Sequence, residues 1–402
     1  MLTIIYNNIH IYKAGVYPQI LELKWDAGSL DECVLANFPN LQKLDCSKCK
    51  LTTLKGIESC PRLIELKCEF NNLRTLTALA SCPQLRVLNC KGNKIASLTR
   101  FKGCALLEDL NCSYNKLTSL AGLNNFSLLK SLYCGSNQLT TLAGIEACPL
   151  LEILNCSWMK LASLIELEGC QHIRKLNCMY NELETFDGIG NRPLLLKLNC
   201  ARNNLQSLAG LGSCPQLCKI RCSLNQLTDM EGLEGCPAIE KLECRVGGVT
   251  NIKGLAVLKQ LRILDCHGNR ITSLEGLEGC PMLSELVCSR NKISTIDNLE
   301  GCHRLKVLDC YHNKITSLES LEQTPALTKL HCSHNKLNAL KGVENCSRLE
   351  ELGCSDNKIK MMGELVDLPK LRVLYYFNVP LKKQSRAVQK IIDKVGMGSN
   401  KN

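Results

Sequence analysis

The hydrophobic positions of the chain recur with a period of 22 residues. A Leu or Ile stands at every 22nd residue from Leu41 to Leu371, without a single insertion. The repeated unit is LxxLxCxxNxLxxLxGLxxCPx, and fifteen copies of it fill residues 41–370. A fixed period of this length is typical of repeat architectures, in which each unit packs only against its neighbours.

The first six positions of the unit predict a short strand. Positions 4 and 6 share one face of an extended chain, and positions 3, 5 and 7 share the other, which is the alternation expected of a strand. The remaining apolar positions can be buried only against the next unit. Stacked units therefore predict one continuous core and a parallel sheet, with positions 3, 5, 7 and 8 facing solvent.

The segments "LRVLNCKGNKI" and "LKVLDCYHNKI" carry a known motif. With Cys in the sixth position, they resemble the LxxLxLxxNxL motif of the leucine-rich repeat family. The 22-residue length resembles the short class found in a phosphatase-regulating family and in bacterial internalins. The Cys variant with its "GLEGCP" ending resembles repeat arrays encoded by giant DNA viruses of amoebae, of the marseillevirus kind.

This resemblance implies an α/β solenoid. The expected shape is a horseshoe or arc with a parallel β-sheet on the concave face and short helical or irregular return segments on the convex face. It also implies a stacked ladder of the Asn side chains at position 9, which twelve of the fifteen units contain. Asn side chains readily bond backbone groups in turns.

Both ends of the chain depart from the repeat, as the ends of a repeat array must. Residues 1–40 lack the motif and are predicted to form an N-terminal cap, with Ser29 and Glu32 as the capping box of a short helix. Residues 371–402 contain a partial repeat, a basic capping helix over 384–395 that Gly396 ends, and a tail. The lysines of this segment are either the solvated side of the cap or a binding surface.

The chain contains 28 cysteines, and most of them occupy two columns of the repeat. Fifteen stand at position 6, from Cys46 to Cys354, and ten precede the usual Pro near the end of the unit. Both columns are predicted to be buried and reduced, because free Cys behaves as a small hydrophobe. Disulfides between neighbouring units, a metal site and a catalytic thiol are the alternatives, and Cys49 and Cys218 are the thiols expected to be most exposed.

The sequence offers little sign of catalysis or of a membrane segment. It has no phosphate loop, no HExxH, no GxSxG and no dinucleotide fingerprint, so we expect no enzyme, no cofactor, no metal and no small-molecule substrate. No apolar run approaches the roughly 20 residues that span a bilayer. The start of the chain is unlike a signal peptide, so the expected location is intracellular, in the host cytoplasm or the virion if the protein is viral.

One segment of the outward positions is strongly basic. In units 7–10, seven cations face a single carboxylate, Glu243, whereas the preceding units are neutral and the following units carry a net charge of −3. Aromatic residues beside Arg are frequent anchors of interfaces, and Trp158 and Tyr180 lie next to this segment. The predicted partner-binding residues are Trp158, Lys175, Tyr180, Lys197, Arg202, Lys219, Arg221, Lys241 and Arg245.

Two units that flank the basic segment lack the Asn of position 9, having Met159 and Gly247 instead. This is either neutral drift or an adaptation to a partner. The histidines at 267, 312, 331 and 334 are interpreted as scattered surface residues.

The sequence therefore favours a non-enzymatic scaffold that binds a protein with an acidic surface on its concave face. The first alternative is a structural component of a larger assembly, such as a viral capsid. The second is a nucleic-acid-associated protein, suggested by the net charge of +11. It ranks lower because a nucleic acid would favour a continuous basic track.

Overall fold

The computed structural model describes residues 3–5, 16–25 and 35–395. The predicted Ser29–Glu32 capping box, Cys33 and Gly396 lie outside the described residues. The chain divides into two compact units, Met1–Leu195 and Leu196–Asn402, and each of them is built from the 22-residue repeat. From here on, "first unit" and "second unit" mean these two parts, and each 22-residue segment is called a repeat.

In the first unit, consecutive strands pair in parallel, each with the next along the chain. The strands are β1 (Thr3–Ile5), β2 (Glu22–Lys24), β3 (Lys43–Asp45), β4 (Glu65–Lys67), β5 (Val87–Asn89), β6 (Asp109–Asn111), β7 (Ser131–Tyr133), β8 (Ile153–Asn155) and β9 (Lys175–Asn177). From β3 onward the register pairs residues 22 apart, such as Leu88 with Leu110. The sequence period is therefore the register of the sheet.

The second unit repeats this arrangement with parallel neighbours in chain order. Its strands are β10 (Lys197–Asn199), β11 (Lys219–Arg221), β12 (Lys241–Glu243), β13 (Ile263–Asp265), β14 (Glu285–Val287), β15 (Val307–Asp309), β16 (Lys329–His331), β17 (Glu351–Gly353) and β18 (Val373–Tyr375).

The return segments contain short 3₁₀ helices. In the first unit these are Ile57–Ser59, Thr77–Ser81, Leu123–Asn125, Ile145–Ala147 and Ile165–Gly169. In the second unit they are Ala209–Leu211, Lys253–Val257, Leu277–Gly279, Glu319–Gln323, Val343–Asn345 and Gly363–Asp367. Gly122 shows why position 16 is often glycine: its φ is 108°, and a Cβ there would lie 2.6 Å from the carbonyl carbon of Leu98.

The Asn ladder implied by the family resemblance is present in the described residues. The amide nitrogen of Asn115 donates to the carbonyl oxygens of Cys90 in the preceding repeat (3.1 Å) and of Cys112 (3.0 Å). Its side-chain oxygen accepts the backbone N–H of Ile95 at 3.0 Å. One buried side chain thus bonds backbone groups of two successive repeats. Each of the two carbonyls also accepts a hydrogen bond from a neighbouring ladder residue, Cys90 from Asn93 and Cys112 from Asn137, so the ladder is continuous here.

The N-terminal segment contributes more than the expected cap. β2 pairs with β3, and Leu23 is aligned with Leu44, a spacing of 21 residues. The buried Trp25 takes the place of the position-6 Cys. Its backbone N–H donates to the carbonyl oxygen of Asp45, just as the backbone N–H of Cys46 donates to the carbonyl oxygen of Lys67. The sequence reading missed this shortened repeat because its period and its key residue both differ.

The predicted C-terminal helix is present as an α-helix over Arg386–Val395. Its buried residues are Val388 and Ile392, and it contacts the 3₁₀ helix Gly363–Asp367 and β18. The helix therefore lies where a cap is expected, although the boundaries of the cap and of the repeat region stay a prediction.

The predicted fold class is confirmed: both units are stacks of parallel strands joined by short 3₁₀ return segments. The core is formed by the Leu, Ile and Cys columns of the repeat, which are almost completely buried. Among the described residues, no helix is long and apolar enough to cross a membrane.

Candidate functional site

Position 8 of the repeat adopts a left-handed backbone conformation in both units. The φ angles lie between 50° and 71° at each of these residues, which form what we call the position-8 column. The column comprises Lys48, Phe70, Gly92, Tyr114, Ser136, Trp158 and Tyr180 in the first unit, and Arg202, Leu224, Val246, Gly268, Arg290, His312, His334, Asp356 and Asn378 in the second.

Most residues of this column are costly choices for such a backbone. The left-handed conformation costs a non-glycine residue roughly 1–2 kcal/mol, and only Gly, Asn and Asp adopt it readily. Only Gly92, Gly268, Asp356 and Asn378 belong to these types. Val246 is β-branched, for which a positive φ is a genuine outlier. Folding alone would favour Gly or Asn, so these side chains are not explained by the stability of the fold.

Large apolar side chains of the column are exposed to solvent. The exposed fractions are 49% for Phe70, 56% for Tyr114, 50% for Trp158 and 49% for Val246. The repeat already buries apolar residues at its core positions, so burial in the core does not explain apolar side chains at this outward position with a positive φ. Exposed apolar surface of this kind marks interaction sites.

In the first unit, the aromatic residues of the column are held in defined arrangements. Trp158 and Tyr180 stack with ring centroids 3.5 Å apart and an interplanar angle of 14°. The ammonium of Lys91 lies 5.6 Å from the ring of Phe70 and 5.1 Å from that of Tyr114. These contacts limit side-chain motion in the free protein, which lowers the entropic cost of ordering them in a complex.

Gly92 makes room for one of these rings. A Cβ at Gly92 would lie 2.6 Å from the Cδ1 atom of Phe70, so no other residue fits there without displacing the ring. The glycine thus serves the neighbouring aromatic residue as well as the positive φ of 68°.

In the second unit, the predicted cations form a row across adjacent strands. The register places Lys197, Lys219 and Lys241 side by side on β10, β11 and β12. Glu243 lies among them, and its carboxylate is 2.8 Å from Arg221, 3.1 Å from Lys241 and 3.7 Å from Lys219. Burial raises the pKa of Glu243, but the hydrogen bond with Lys241 and the charge of Arg221 outweigh this and hold it below its usual value.

Arg245 has a carboxylate partner, Asp265, in the net negative repeats that follow the basic segment. Its Nε donates to Asp265 at 2.7 Å, and Asp265 is buried. This hydrogen bond raises the pKa of Arg245. The positive charge of the segment is therefore smaller than the sequence count suggests. Within the described residues Lys197 forms no salt bridge, and Lys197, Arg202 and Arg221 are exposed.

The predicted partner-binding residues are thus distributed over both units. Trp158, Lys175 and Tyr180 lie in the first unit, where Lys175 is exposed on β9 and the two rings stack. Lys197, Arg202, Lys219, Arg221, Lys241 and Arg245 lie in the second unit, on or directly after β10, β11 and β12. The left-handed backbone at position 8 was not predicted from the sequence. The glycines at positions 92 and 268 could have indicated it, because glycine is the residue that most readily adopts a positive φ.

The cysteine columns are buried, as predicted. The described residues contain 27 cysteines with no disulfide bond among them, and all of them except Cys218 are buried. Burial raises the pKa of Cys112 and of Cys178 to about 12, so these thiols are poor nucleophiles near neutral pH. The part of the chain that the structure describes holds no group of His, Cys, Asp and Glu suited to a metal ion.

The expectation that Cys49 is exposed was wrong. Its exposed fraction is 6%, and its thiol donates to the carbonyl oxygen of Trp25 at 3.1 Å. Cys49 stands at position 9, the place of the ladder Asn, and therefore points inward. Cys218 is partly exposed, in agreement with the prediction.

Comparisons with known proteins agree with this architecture. Residues 39–81, 259–301 and 303–345 match a family model described as "Leucine Rich repeats (2 copies)". A comparison with curated protein sequences found none that is similar to the chain.

Several solved structures share the fold. A leucine-rich repeat protein of Leptospira interrogans is 24% identical with a TM-score of 0.73, over 94% of this chain and 95% of that one. The functional domain of InlJ from Listeria monocytogenes, whose structure is described as including a cysteine ladder, is 26% identical with a TM-score of 0.64, over 88% of this chain and 70% of that one.

A third structure is a complex. In the Toll–Spatzle complex of Drosophila, the matching chain is 18% identical with a TM-score of 0.69, over 91% of this chain and 51% of that one. This chain thus spans about half the length of that chain. The 22-residue period, the Asn ladder and these structures show that the chain has the leucine-rich repeat fold, and the three matched segments carry the sequence pattern of that family.

Proposed function

We propose that the chain is a non-enzymatic scaffold that binds another protein through the solvent-facing side of its strands and the adjoining position-8 column. The observation that carries this proposal is the column itself. It places exposed Phe70, Tyr114 and Trp158 on a left-handed backbone that disfavours them. Residues held in costly conformations tend to cluster at functional sites, where the strain is tolerated for what the side chain does.

The second unit fits an acidic partner surface best, and the first unit fits an apolar one. In the second unit, the cations on β10, β11 and β12 outnumber the two carboxylates that contact them, Glu243 and Asp265. In the first unit, the Trp158–Tyr180 stack offers a rigid aromatic surface of the kind that anchors interfaces. Electrostatic attraction would make association faster and sensitive to salt.

The comparisons support a binding role in general terms. The Toll–Spatzle structure is a complex between a repeat protein of this fold and a protein ligand. Nucleic acid fits less well, because Glu243 and Asp265 interrupt the cations that would have to follow a phosphate backbone. The free, buried thiols support the further proposal that the protein works in a reducing compartment.

The first experiment is affinity capture from the organism that makes the protein, with and without nuclease, read by mass spectrometry. Recovery of one acidic protein that survives nuclease supports the proposal. Recovery of a set of capsid proteins would indicate the structural alternative, and loss of the captured material after nuclease treatment would indicate nucleic acid.

The second experiment reverses two charges in the second unit. Lys197→Glu with Arg202→Glu should weaken binding of the captured protein at least tenfold and reduce its salt dependence. The matched control is Lys292→Glu with Lys306→Glu, which makes the same change of charge at exposed positions outside the proposed surface. Equal affinity and salt dependence in the two double variants would refute the acidic-surface proposal.

The third experiment uses the left-handed backbone as an internal control. Trp158→Gly removes the aromatic side chain and relieves a φ of 60°. We expect weaker binding together with an unchanged or higher melting temperature, since glycine adopts this conformation without the cost of a Cβ. A lower melting temperature with unchanged binding would mean that the ring stabilises the fold and does not contact the partner.

A further inference from the structure

One row of side chains in the second unit is interrupted, and a recess lies at the interruption. The register aligns Asp309, His331, Gly353 and Tyr375 on β15, β16, β17 and β18. Gly353 has no side chain, so a gap opens between the rings of His331 and Tyr375. The recess has a volume of about 320 Å³. That is near the lower end of the volumes typical of ligand pockets.

The lining of the recess combines aromatic, histidine and carboxylate groups. Its residues are Asp309, Tyr311, His331, Ser333, His334, Gly353, Ser355 and Tyr375. The composition is unlike that of the basic segment, and none of the lining residues is Lys or Arg. It is therefore a separate site with the opposite electrostatic preference.

Asp309 supplies a carboxylate without a cation. One of its oxygens accepts the backbone N–H of Tyr311 at 3.0 Å, and the other accepts the hydroxyl of Ser289 at 3.3 Å. Among the described residues, no Lys, Arg or His forms a salt bridge with it. A partly buried carboxylate that has hydrogen bonds but no counter-charge attracts a cation.

The two histidines are oriented by carboxylates of their own. Nε2 of His331 lies 2.9 Å from Glu351, and Nε2 of His334 lies 3.0 Å from Asp356. When Nε2 of a neutral imidazole donates to a carboxylate, the other ring nitrogen, Nδ1, is left as an acceptor. Both rings therefore offer acceptor capacity in their neutral form.

Tyr311 already contacts a guanidinium of the same chain. The guanidinium carbon of Arg290 lies 5.9 Å from the centre of the Tyr311 ring. His334 meets that ring edge-on, with centroids 4.9 Å apart and an interplanar angle of 80°. The ring is thus held in a fixed orientation at the edge of the recess.

We propose that this recess is a receptor for an arginine side chain presented by a protein partner. A guanidinium has five N–H donors and a flat face, which match a carboxylate, imidazole acceptors and tyrosine rings together. A long side chain fits the volume, and the gap above Gly353 admits it between His331 and Tyr375. The proposal deepens the scaffold function proposed above, on which it rests, and gives that scaffold a second contact of opposite charge.

The test uses a pair of small probes that differ only in charge and in donor capacity. N-acetyl-arginine amide should bind in the millimolar range and shift the ring signals of His331 and His334 in protein-observed NMR spectra. N-acetyl-citrulline amide has nearly the same shape but no charge, and should bind at least tenfold more weakly. Equal binding of the two probes, or no saturable shift with the arginine probe, would overturn the proposal.

Two variants locate the site. Asp309→Asn should lower the affinity for the arginine probe at least tenfold. Gly353→Leu should abolish binding by filling the gap; a Cβ there meets nothing closer than the Ser333 hydroxyl at 3.5 Å, so the backbone tolerates it. Glu300→Gln, an exposed carboxylate elsewhere in the unit, is the matched control and should bind the probe as the unchanged protein does.

The melting temperature of each variant shows whether it folds. If Asp309→Asn folds and binds the arginine probe with unchanged affinity, the assignment of the carboxylate is wrong. Because these probes need no partner, this test is independent of the charge reversal at Lys197 and Arg202. Loss of one result with survival of the other separates failure of this inference from failure of the proposed function.

Discussion

The buried thiols make the stability of the protein unusually sensitive to alkaline pH. Burial raises the pKa values of Cys112, Cys178, Cys222 and Cys354 from the ordinary 9.0 to about 12. In the unfolded chain each thiol releases its proton near the ordinary value. The stabilising contribution of each protonated thiol is therefore fully present below about pH 9 and is lost as the pH rises towards about 12.

The size of the effect follows from linkage. In this window each such thiol lowers the free energy of unfolding by about 1.4 kcal/mol per pH unit. Four thiols together lower it by about 5 kcal/mol per pH unit, and the other buried cysteines act in the same direction. Because folded domains are stable by roughly 5–15 kcal/mol, we expect cooperative unfolding within about two pH units above pH 9.

The assay follows two signals as the pH is raised in the presence of a phosphine reductant. Thiolate ultraviolet absorbance should stay low and then rise steeply, together with the loss of the far-ultraviolet circular dichroism signal. Cys112→Val removes one titrating group, so the slope of stability against pH should become shallower by about 1.4 kcal/mol per unit. Leu110→Val, a buried change on β6 two residues before Cys112, should change the stability but leave that slope unaltered.

One result would refute this reasoning. If thiolate absorbance rises gradually with a midpoint near pH 9 while the circular dichroism stays constant, the thiols exchange with water in the folded protein. In that case the cysteine columns are not the dry core that their burial indicates.

Two further predictions concern the ladder and the C-terminal helix. Asn115→Ala should destabilise the protein by about 1–3 kcal/mol, because the N–H of Ile95 loses its acceptor while the carbonyls of Cys90 and Cys112 keep one donor each. The exposed Asn124→Ala should be nearly neutral in the same denaturant titration. Deleting residues 384–402 should lower the stability by about 3–5 kcal/mol and promote aggregation visible by light scattering, since Val388 and Ile392 no longer cover the final repeat; an unchanged, monomeric truncated protein would mean that the helix is not a cap.

The regular part of this fold is predictable from the sequence, because the 22-residue period equals the spacing between paired residues on neighbouring strands. Every strand from β3 onward, the burial of both cysteine columns and the C-terminal helix follow from the spacing of apolar residues. The shortened repeat around Leu23 and Trp25 was missed, since one residue fewer and a Trp in place of Cys hide the period. Cys49 was misjudged because its role depends on the ladder position and not on its residue type.

The candidate sites were predictable only in part. The cations on β10, β11 and β12 are visible as a column, but the pairing of Arg245 with Asp265 crosses from one repeat to the next and from a basic to an acidic segment. The recess at Gly353 exists because this residue has no side chain between His331 and Tyr375, its neighbours on the adjacent strands. Such features arise from side chains of different repeats that meet across the sheet, which no single repeat reveals.

The position-8 column sets a fixed spacing for whatever binds it. Within each unit it offers one side chain per strand, hence one about every 4.8 Å. An extended peptide repeats the side chains of one face every ~6.7 Å and falls out of step with the column after two residues. A helix lying along the column advances about 5.4 Å per turn, so it drifts by only ~0.6 Å per strand and stays within about a quarter of the spacing over two turns. The spacing of the column therefore matches the side chains of a bound helix better than those of a bound extended strand.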